Sequence, residues 1–374
     1  MLELYDPDAK VSVKKEPILT YSLDEFFQVT PIGSIEKAIG NNLYGINHRQ
    51  TPTAVPSNWD SYGLTFFVRP QLNLSLLNIS ALRYFYQLLT NDEFSVQRYV
   101  RGILDPRGNS TNPNSIIGGN LSGFNTPVVD NQNCFIPILS NNLTSVSGWP
   151  DITAPTFTAT EGLYREGWSI VDGVVRNYES FDLDTTFRNT KGDVIIYMMY
   201  IWLNYMAEVF EGRLVPYWDY ILENTLDYNT RIYRLVLDQN KRFVTKIAAT
   251  GVSFPIAVSV GQFFDYNAER PYNEQSKEIT IRWRSLGVTY FDEILVREFN
   301  ITVQQFNPSM RNKNNVTKIP HDLLHLFNNR GYPRINPKTF ELEWYVPNDL
   351  YNFRIKQYLS TVPSQYVGVS RKNG

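Results

Sequence analysis

The sequence predicts an α+β protein with a mainly antiparallel β-sandwich or β-barrel module, one prominent flanking helix, an accessory region and extended terminal arms. Between about residues 160 and 300, several segments alternate apolar and polar residues, which is the period of half-buried strands. One run of ten apolar residues, Val194 to Leu203, predicts a single strong helix. On both sides of this module, Pro and Asn interrupt any regular pattern, which indicates extended chain.

The 374 residues divide into four predicted parts. Residues 1–58 form an extended N-terminal arm, and residues 59–159 form an accessory region with a long polar loop. Residues 160–303 form the β module, and residues 304–374 form a C-terminal extension. Arms without a core of their own gain stability by docking on neighbours, so this division indicates an assembly.

The front of the chain carries a few predicted elements. A capping-box pattern predicts a short helix at 22–29 within the arm. In the accessory region, GLTFFVRP predicts a strand at 63–70 and SALRYFYQLL a helix at 80–89. A polar loop spans about 105–132, and the apolar segment NCFIPIL at 133–139 closes the region.

The module itself contains a regular series of predicted strands. They lie at 168–177, 180–189, 231–238, 242–251, 252–260 and 277–288. The third and fourth form a hairpin, since only Gln239, Asn240 and Lys241 separate them. The apolar helix, at 193–211, falls between the second and third strands, and this places one helix against a sheet of antiparallel strands.

Four charged residues share predicted strand faces. Asp182 and Asp184 lie on one face of the second strand, and Arg282 and Arg284 lie on one face of the last strand. They are candidates for a face that lines a lumen or meets another subunit. An ordinary solvated face is an equally good interpretation of the arginines, and catalysis by the two aspartates is much less favoured.

The predicted helix has no clean polar face. Asp193 fits the N-cap or the first turn, and Gly212 fits the position after the helix end. One apolar stripe consists of Val194, Tyr197, Met198, Ile201 and Tyr205. The other consists of Ile195, Met199, Trp202, Met206 and Phe210. One stripe suffices for packing on a sheet, so the second stripe is covered either by the chain's own front region or by another subunit, which makes its residues a candidate interface.

A membrane span is not expected here. Spanning a bilayer takes about 20 apolar residues, whereas Asp193 and Glu208 bracket only 14 positions, with Asn204 among them.

Composition narrows the function classes. The formal net charge of −2 excludes a strongly basic nucleic-acid binder and gives no reason to expect an anionic membrane partner. Charged residues make up 19% and aromatic residues 14% of a chain that is rich in Asn. This composition suits extensive, wet protein contacts, although compositional drift in an AT-rich genome explains it equally well.

Candidate chemistry is sparse. The lone Cys134 excludes internal disulfides, and its apolar surroundings predict a buried small residue. His321 and His325 have the i, i+4 spacing of metal ligands on a helix. However, Asp322 stands where a zinc protease needs Glu, so two ordinary histidines are favoured over a metal site. We therefore predict no catalytic, cofactor-binding or metal-binding residues.

The N-terminal sequence lacks the basic and apolar regions of a signal peptide. Sequons such as those at Asn73, Asn78 and Asn142 then follow from the Asn-rich composition. We expect synthesis and folding in a cytoplasm.

Between residues 176 and 300, the order of elements resembles the tail-tube proteins of contractile phages, especially the baseplate proteins that start the tube. The segments that carry the resemblance are RNYESFDLDTTFRN, VIIYMMYIWLNYM, YRLVLD, VTKIAATGVSFPIAVSV, FFDYN and EITIRWRSLGV. The segments GLTFFVRPQLNL and FIPILSNNLTSVSGWPDI resemble the front of longer virion proteins of large phages. A repeating tube subunit is usually much shorter than 374 residues, which favours a specialised ring.

The resemblance implies a structural protein and no enzyme. Copies would form a ring, typically of six, whose strands join into one barrel around a lumen that carries phage DNA without sequence-specific binding. Its partners would be itself and the neighbouring tail-tube, baseplate and sheath proteins, in a virion assembled in the host cytoplasm, with no membrane. The alternatives are another virion component of the neck, sheath or capsid and, less favoured, a metal-dependent hydrolase or a wall-degrading glycosidase.

Overall fold

A computed structural model describes most of the chain. The described residues are 62–108, 126–173, 178–265, 268–269, 277–312, 315–327 and 331–361. The predicted N-terminal arm and its helix at 22–29 lie outside them.

A six-stranded antiparallel sheet forms the centre of the molecule. Its strands in chain order are β1 (Tyr62–Phe67), β2 (Leu143–Ser147), β5 (Ser180–Arg188), β6 (Ile232–Leu237), β7 (Val244–Val258) and β8 (Glu278–Tyr290). They pair in the order β1-β6-β7-β8-β5-β2. Between β2 and β5, the short strands β3 (Thr156–Thr158) and β4 (Ser169–Val171) form a separate two-stranded sheet.

Helices surround this sheet. The α-helices of the described residues are α1 (Leu76–Ile79), α2 (Val96–Leu104), α3 (Pro137–Asn142), α4 (Val194–Phe210), α5 (Trp218–Leu222), α6 (Ile294–Phe306), α7 (Ser309–Asn312) and α8 (Asn348–Thr361). Short 3-10 turns lie at Tyr86–Leu89, Gly261–Phe263 and His321–Phe327. None of the described helices combines the length and the apolar character needed to cross a bilayer.

The two edges of the sheet nearly meet, which makes it barrel-like. Phe135 forms an antiparallel bridge with Val68 just after β1, and the Ile136 amide donates to the Phe67 carbonyl at 2.9 Å. Helix α3 follows directly and leads into β2 at the opposite edge. The Phe67 ring lies 5.7 Å from the ring of Phe187 on β5. Helix α3 therefore occupies the gap between the edge strands.

Helix α4 matches the predicted helix closely. Asp193 occupies the N-cap position with a φ of 49°. Its side chain accepts a hydrogen bond from the Asn189 amide at 2.7 Å and makes none to the helix backbone. Gly212 has a φ of +73° and donates its amide to the Val209 carbonyl at 3.1 Å. The prediction that Gly212 follows the helix end is confirmed, because glycine adopts this left-handed backbone at little cost.

The largest core packs α4 between the sheet and the front of the chain. Sheet residues in this core include Leu183, Phe187, Ile279, Ile281 and Trp283. Front residues in the same core include Leu72, Leu74, Ile79, Phe85, Val100 and Leu104. The front segment thus shares both its sheet and its core with the later strands.

Strand β7 differs from the prediction of two separate strands at 242–251 and 252–260. It runs for 15 residues without a break. Gly251 is required because a Cβ there would lie 2.6 Å from the Leu286 carbonyl oxygen. Pro255 adjoins a register shift opposite Trp283, and a bulge tolerates a residue without an amide proton. Both residues resemble strand breakers in sequence, although the strand continues through them.

The C-terminal part also differs from the prediction. The extension expected from residue 304 is folded over most of its described length, with the strands β9 (Val316–Lys318), β10 (Tyr332–Ile335) and β11 (Leu342–Pro347). They pair in the order β10-β11-β9. Ile335, Leu342 and Tyr345 pack with α6 and β7 in a second core. Strands this short, flanked by Pro and Asn, leave too little periodicity to read in sequence.

Among the other predictions, the strands at 63–70, 180–189, 231–238 and 277–288 are confirmed as β1, β5, β6 and β8. The helix expected at 80–89 is wrong, because α1 ends before it and a 3-10 turn covers only Tyr86–Leu89. The strand expected at 168–177 is reduced to β4, and residues 174–177 lie outside the described part.

Candidate assembly surfaces

The outward face of β5 and β8 brings all four predicted charged residues together. The register places Asp184 opposite Arg282 and Asp182 opposite Arg284. Arg282 Nε lies 2.8 Å from Asp184 Oδ1, and Arg284 Nε lies 2.9 Å from Asp182 Oδ1. We call these four residues the charged face. The hydrogen bond to Asp184 raises the pKa of Arg282, so that guanidinium remains charged.

The charged face carries balanced charge. Each arginine has an aspartate partner within its own chain, so the face offers no surplus cation to a phosphate backbone. Pairs this exposed contribute little to folding, because water screens them. The face is therefore suited to staying in water rather than to binding a polyanion tightly.

Within the described residues, β2 and the Tyr62–Phe66 part of β1 have a free side, whereas Phe67 and Val68 are bonded on that side by Ile136 and Phe135. Strand β2 pairs with β5, and β1 pairs with β6, and neither has a second named strand as neighbour. A free edge presents backbone donors and acceptors that another strand can pair with.

The five residues predicted as an interface on α4 separate into two groups. Ile195, Met199 and Trp202 are fully buried, and the Trp202 ring meets the Trp283 ring edge-on at 5.7 Å. For these three residues the interface prediction is wrong, because their stripe faces the chain's own sheet. Met206 is partly buried, whereas Phe210 is 92% exposed.

Several exposed apolar residues lie close in sequence to α5, between Phe210 and Leu226. Trp218, Ile221 and Leu222 have the i, i+3, i+4 spacing of one helix face, and all three are exposed. We define the helix-end patch as Phe210, Val215, Trp218, Ile221, Leu222 and Leu226. Only Phe210 was among the predicted interface residues. The spacing within WDYIL was the signal available in sequence, but a five-residue helix is hard to recognise.

The strands β3 and β4 form a hairpin that is exposed on both faces. We define the apolar hairpin by its large exposed residues, Phe157, Leu163, Tyr164, Trp168, Ile170 and Val171. Its base is fixed to the sheet, because the Tyr290 hydroxyl donates to the Pro150 carbonyl at 2.7 Å. The sequence predicts a strand near β4 but gives no sign that the hairpin leaves the core.

A buried polar network ties the front segment to the chain after α4. Asp105 is fully buried and accepts from the Tyr217 hydroxyl at 2.7 Å and from the Gly108 amide at 2.7 Å. Burial raises its pKa. Asp227 accepts a short hydrogen bond from the Tyr205 hydroxyl, and burial raises the Asp227 pKa to about 6. Both carboxylates lie in the interior, where they accept hydrogen bonds that join separate segments of the chain.

The remaining candidates for chemistry are ordinary in their surroundings. His321 and His325 are exposed and lie in a 3-10 turn, where residues four apart do not share a face. No cluster of His, Cys, Asp or Glu within the described ranges could hold a metal ion. Cys134 is buried, as predicted, and burial raises the pKa of its thiol well above the usual value.

Free strand edges and exposed apolar surfaces are typical of proteins that associate with other chains. A model of the family described as "Putative phage tail tube protein" matches residues 6–360, and the chain belongs to this family. No curated protein matches the chain. Its resemblance to tail-tube proteins is thereby confirmed at the level of the family.

Solved structures with low similarity come from tube assemblies. The anti-feeding prophage cap, described as a tube terminating cap, is 15% identical, with 43% of this chain and 84% of that chain covered and a TM-score of 0.27. The sheath/tube terminator of an extracellular contractile injection system, PVC, in its extended state is 13% identical, with 42% and 86% covered and a TM-score of 0.25.

Proposed function

We propose that this chain is a structural virion protein of a contractile phage tail, where copies form a ring of the baseplate or tail tube that continues the DNA-conducting channel. Membership of the tail-tube family over residues 6–360 is the observation that carries the proposal. The protein acts by binding energy and not by catalysis.

The free sheet edges support a ring. In a closed ring, β2 of one copy pairs with the Tyr62–Phe66 part of β1 in the next, so that the six-stranded sheets join into one continuous barrel. This pairing removes the aggregation hazard of two unpaired edges. Six copies, the number typical of the family, close the ring.

The charged face is the side of the sheet that best fits the wall of the lumen. Its arginines are already paired within the chain, so they need no partner from a neighbouring copy. A wet, charge-balanced wall lets DNA pass, because tight binding of DNA requires unpaired cations that displace its counterions. We therefore assign Asp182, Asp184, Arg282 and Arg284 to the lumen rather than to a contact between subunits.

The partners of the protein follow from this position. They are further copies of the chain and the neighbouring tube, baseplate and sheath proteins, and the DNA in the lumen is contacted without sequence specificity. The protein is located in the virion after assembly in the host cytoplasm, and no membrane takes part.

Purified full-length chain and intact particles together test the proposal. Native mass spectrometry is expected to find a closed oligomer, and electron microscopy with a C-terminal label is expected to place it on the axis of the tail. A label on the neck, the sheath or the capsid would favour another virion component instead. A compact monomer that never enters particles would overturn the proposal.

A further inference from the structure

We infer that the apolar hairpin of one copy docks on the helix-end patch of a second copy. The inference rests on the proposed self-assembly and names the surfaces that carry it. It is independent of the sheet edges, because the hairpin lies outside the main sheet.

The apolar hairpin requires a partner that packs against it. A two-stranded hairpin is marginally stable alone in water and requires packing of at least one face. Every residue of β3 and β4 is exposed. The register places Phe157, Trp168 and Ile170 on one face of the ribbon and Val171 on the other. Large apolar patches on a soluble protein mark sites of association.

The tip of the hairpin is ordered before docking. The Gly162 amide donates to the Glu166 carbonyl at 2.9 Å, and the Tyr164 amide donates to the Glu166 carboxylate at 2.7 Å. These bonds hold Leu163 and Tyr164 outward, where they are 90% and 87% exposed. Docking then loses little conformational entropy, since the loop already has a fixed shape.

The exposed area fits a stable contact. The three side chains on the apolar face and the two at the tip, at roughly 130 Å² each, offer on the order of 650 Å², which is near the lower end of what one partner contributes to a stable interface of standard size. The helix-end patch offers six large apolar side chains, which are Phe210, Val215, Trp218, Ile221, Leu222 and Leu226.

Two different apolar surfaces on one chain favour a head-to-tail contact. If two hairpins docked on each other, the helix-end patches would stay exposed to water. If two patches docked on each other, the hairpins would stay exposed. A heterologous contact buries both surfaces in every copy and repeats from copy to copy, as rings and tubes require. A second copy of this chain is therefore the occupant.

Cysteine cross-linking of the full-length chain tests the contact. The only native cysteine, Cys134, is buried, so introduced thiols report alone. The test variant carries Leu163→Cys on the hairpin together with Leu222→Cys on the patch. The controls are each single variant and a pair of Leu163→Cys with Phe94→Cys, an exposed residue outside both surfaces.

Under mild oxidation, the test variant is expected to give a ladder of covalently linked copies beyond the dimer. Each single variant has one reactive thiol per copy and stops at the dimer. If the wild type is oligomeric but the test pair links no further than the controls, the inference fails and the proposed function stands. If the wild type is monomeric, both fail. Hairpin thiols that link only to a different virion protein would also overturn the inference.

A second variant, Leu163→Asp with Tyr164→Asp, tests the energetics. Both side chains are solvent-exposed, so the fold and its unfolding curve are expected to stay unchanged. The dissociation constant of the oligomer is expected to rise at least tenfold, whereas Phe94→Asp leaves it unchanged. An unaltered dissociation constant in the double variant would contradict the inference.

Discussion

Trp202 joins helix α4 to the sheet at the centre of the main core. Its ring meets Trp283 edge-on, and its Nε1–H donates to the Tyr228 carbonyl at 3.0 Å. We expect Trp202→Ala to lower the free energy of unfolding by about 3–5 kcal/mol through the cavity it leaves. Urea unfolding measures this, with Phe94→Ala, at an exposed position outside both proposed contact surfaces, as a control that leaves stability unchanged. A small effect at Trp202 would contradict the assignment of its stripe to the core.

Thr185 supports the other tryptophan of this pair. Its Oγ1 accepts from Trp283 Nε1 at 2.8 Å and donates to the Ile281 carbonyl at 3.1 Å. Thr185→Val keeps the shape but leaves a buried N–H without an acceptor, which costs about 1–3 kcal/mol. The matched control is Thr186→Val on the opposite face of the strand, which is expected to have little effect on thermal unfolding. Equal effects at both positions would contradict this account.

Asp227 gives the fold a pH dependence. Burial raises its pKa from 3.8 to about 6, so the folded state binds this proton more tightly than the unfolded chain does. The associated stability is fully present below about pH 4 and is lost as the pH rises through 6. Asp227→Asn retains an acceptor for Tyr205 and is expected to be more stable than the wild type at pH 8, by about 3 kcal/mol, and nearly equal to it below pH 4. Parallel stability curves across this range would contradict the shift.

At the scale of elements, the sequence was most informative where a pattern was long. The apolar run of α4 and the alternation in β5 and β8 located these elements to within a few residues. The prediction of two strands was wrong at Gly251 and Pro255, because both residues usually interrupt a strand but lie inside β7 here. Prediction also failed where tertiary contacts stabilise short elements, as in the small C-terminal sheet, since no local pattern encodes those contacts.

The charged face is the element whose role can be tested by charge removal. Arg282→Gln with Arg284→Gln leaves the aspartates unpaired on a solvated face, so the fold is expected to persist. If the face lines a lumen, native mass spectrometry gives the same oligomer as the wild type. Breakdown into smaller species would instead place these residues between subunits, against our assignment. Thr280→Val, on the same strand face, serves as a control.

At the scale of the molecule, the sequence indicated an assembly but not its contact surfaces. The four residues of the charged face were predicted because strand alternation fixes which side chains share a face. The cover of the second α4 stripe stayed open between the front region and another subunit, because both stripes are apolar and only the packing of the whole chain distinguishes them. The apolar hairpin was missed, since exposure is a property of the whole fold.

A subunit count on the purified full-length chain tests the central claim most directly. Native mass spectrometry is expected to show a closed oligomer of this chain, with six copies as the predicted number and no larger open series. A single species at the 43.3 kDa mass of one copy, over the whole range of protein concentration tested, would contradict the claim that this protein works as a ring.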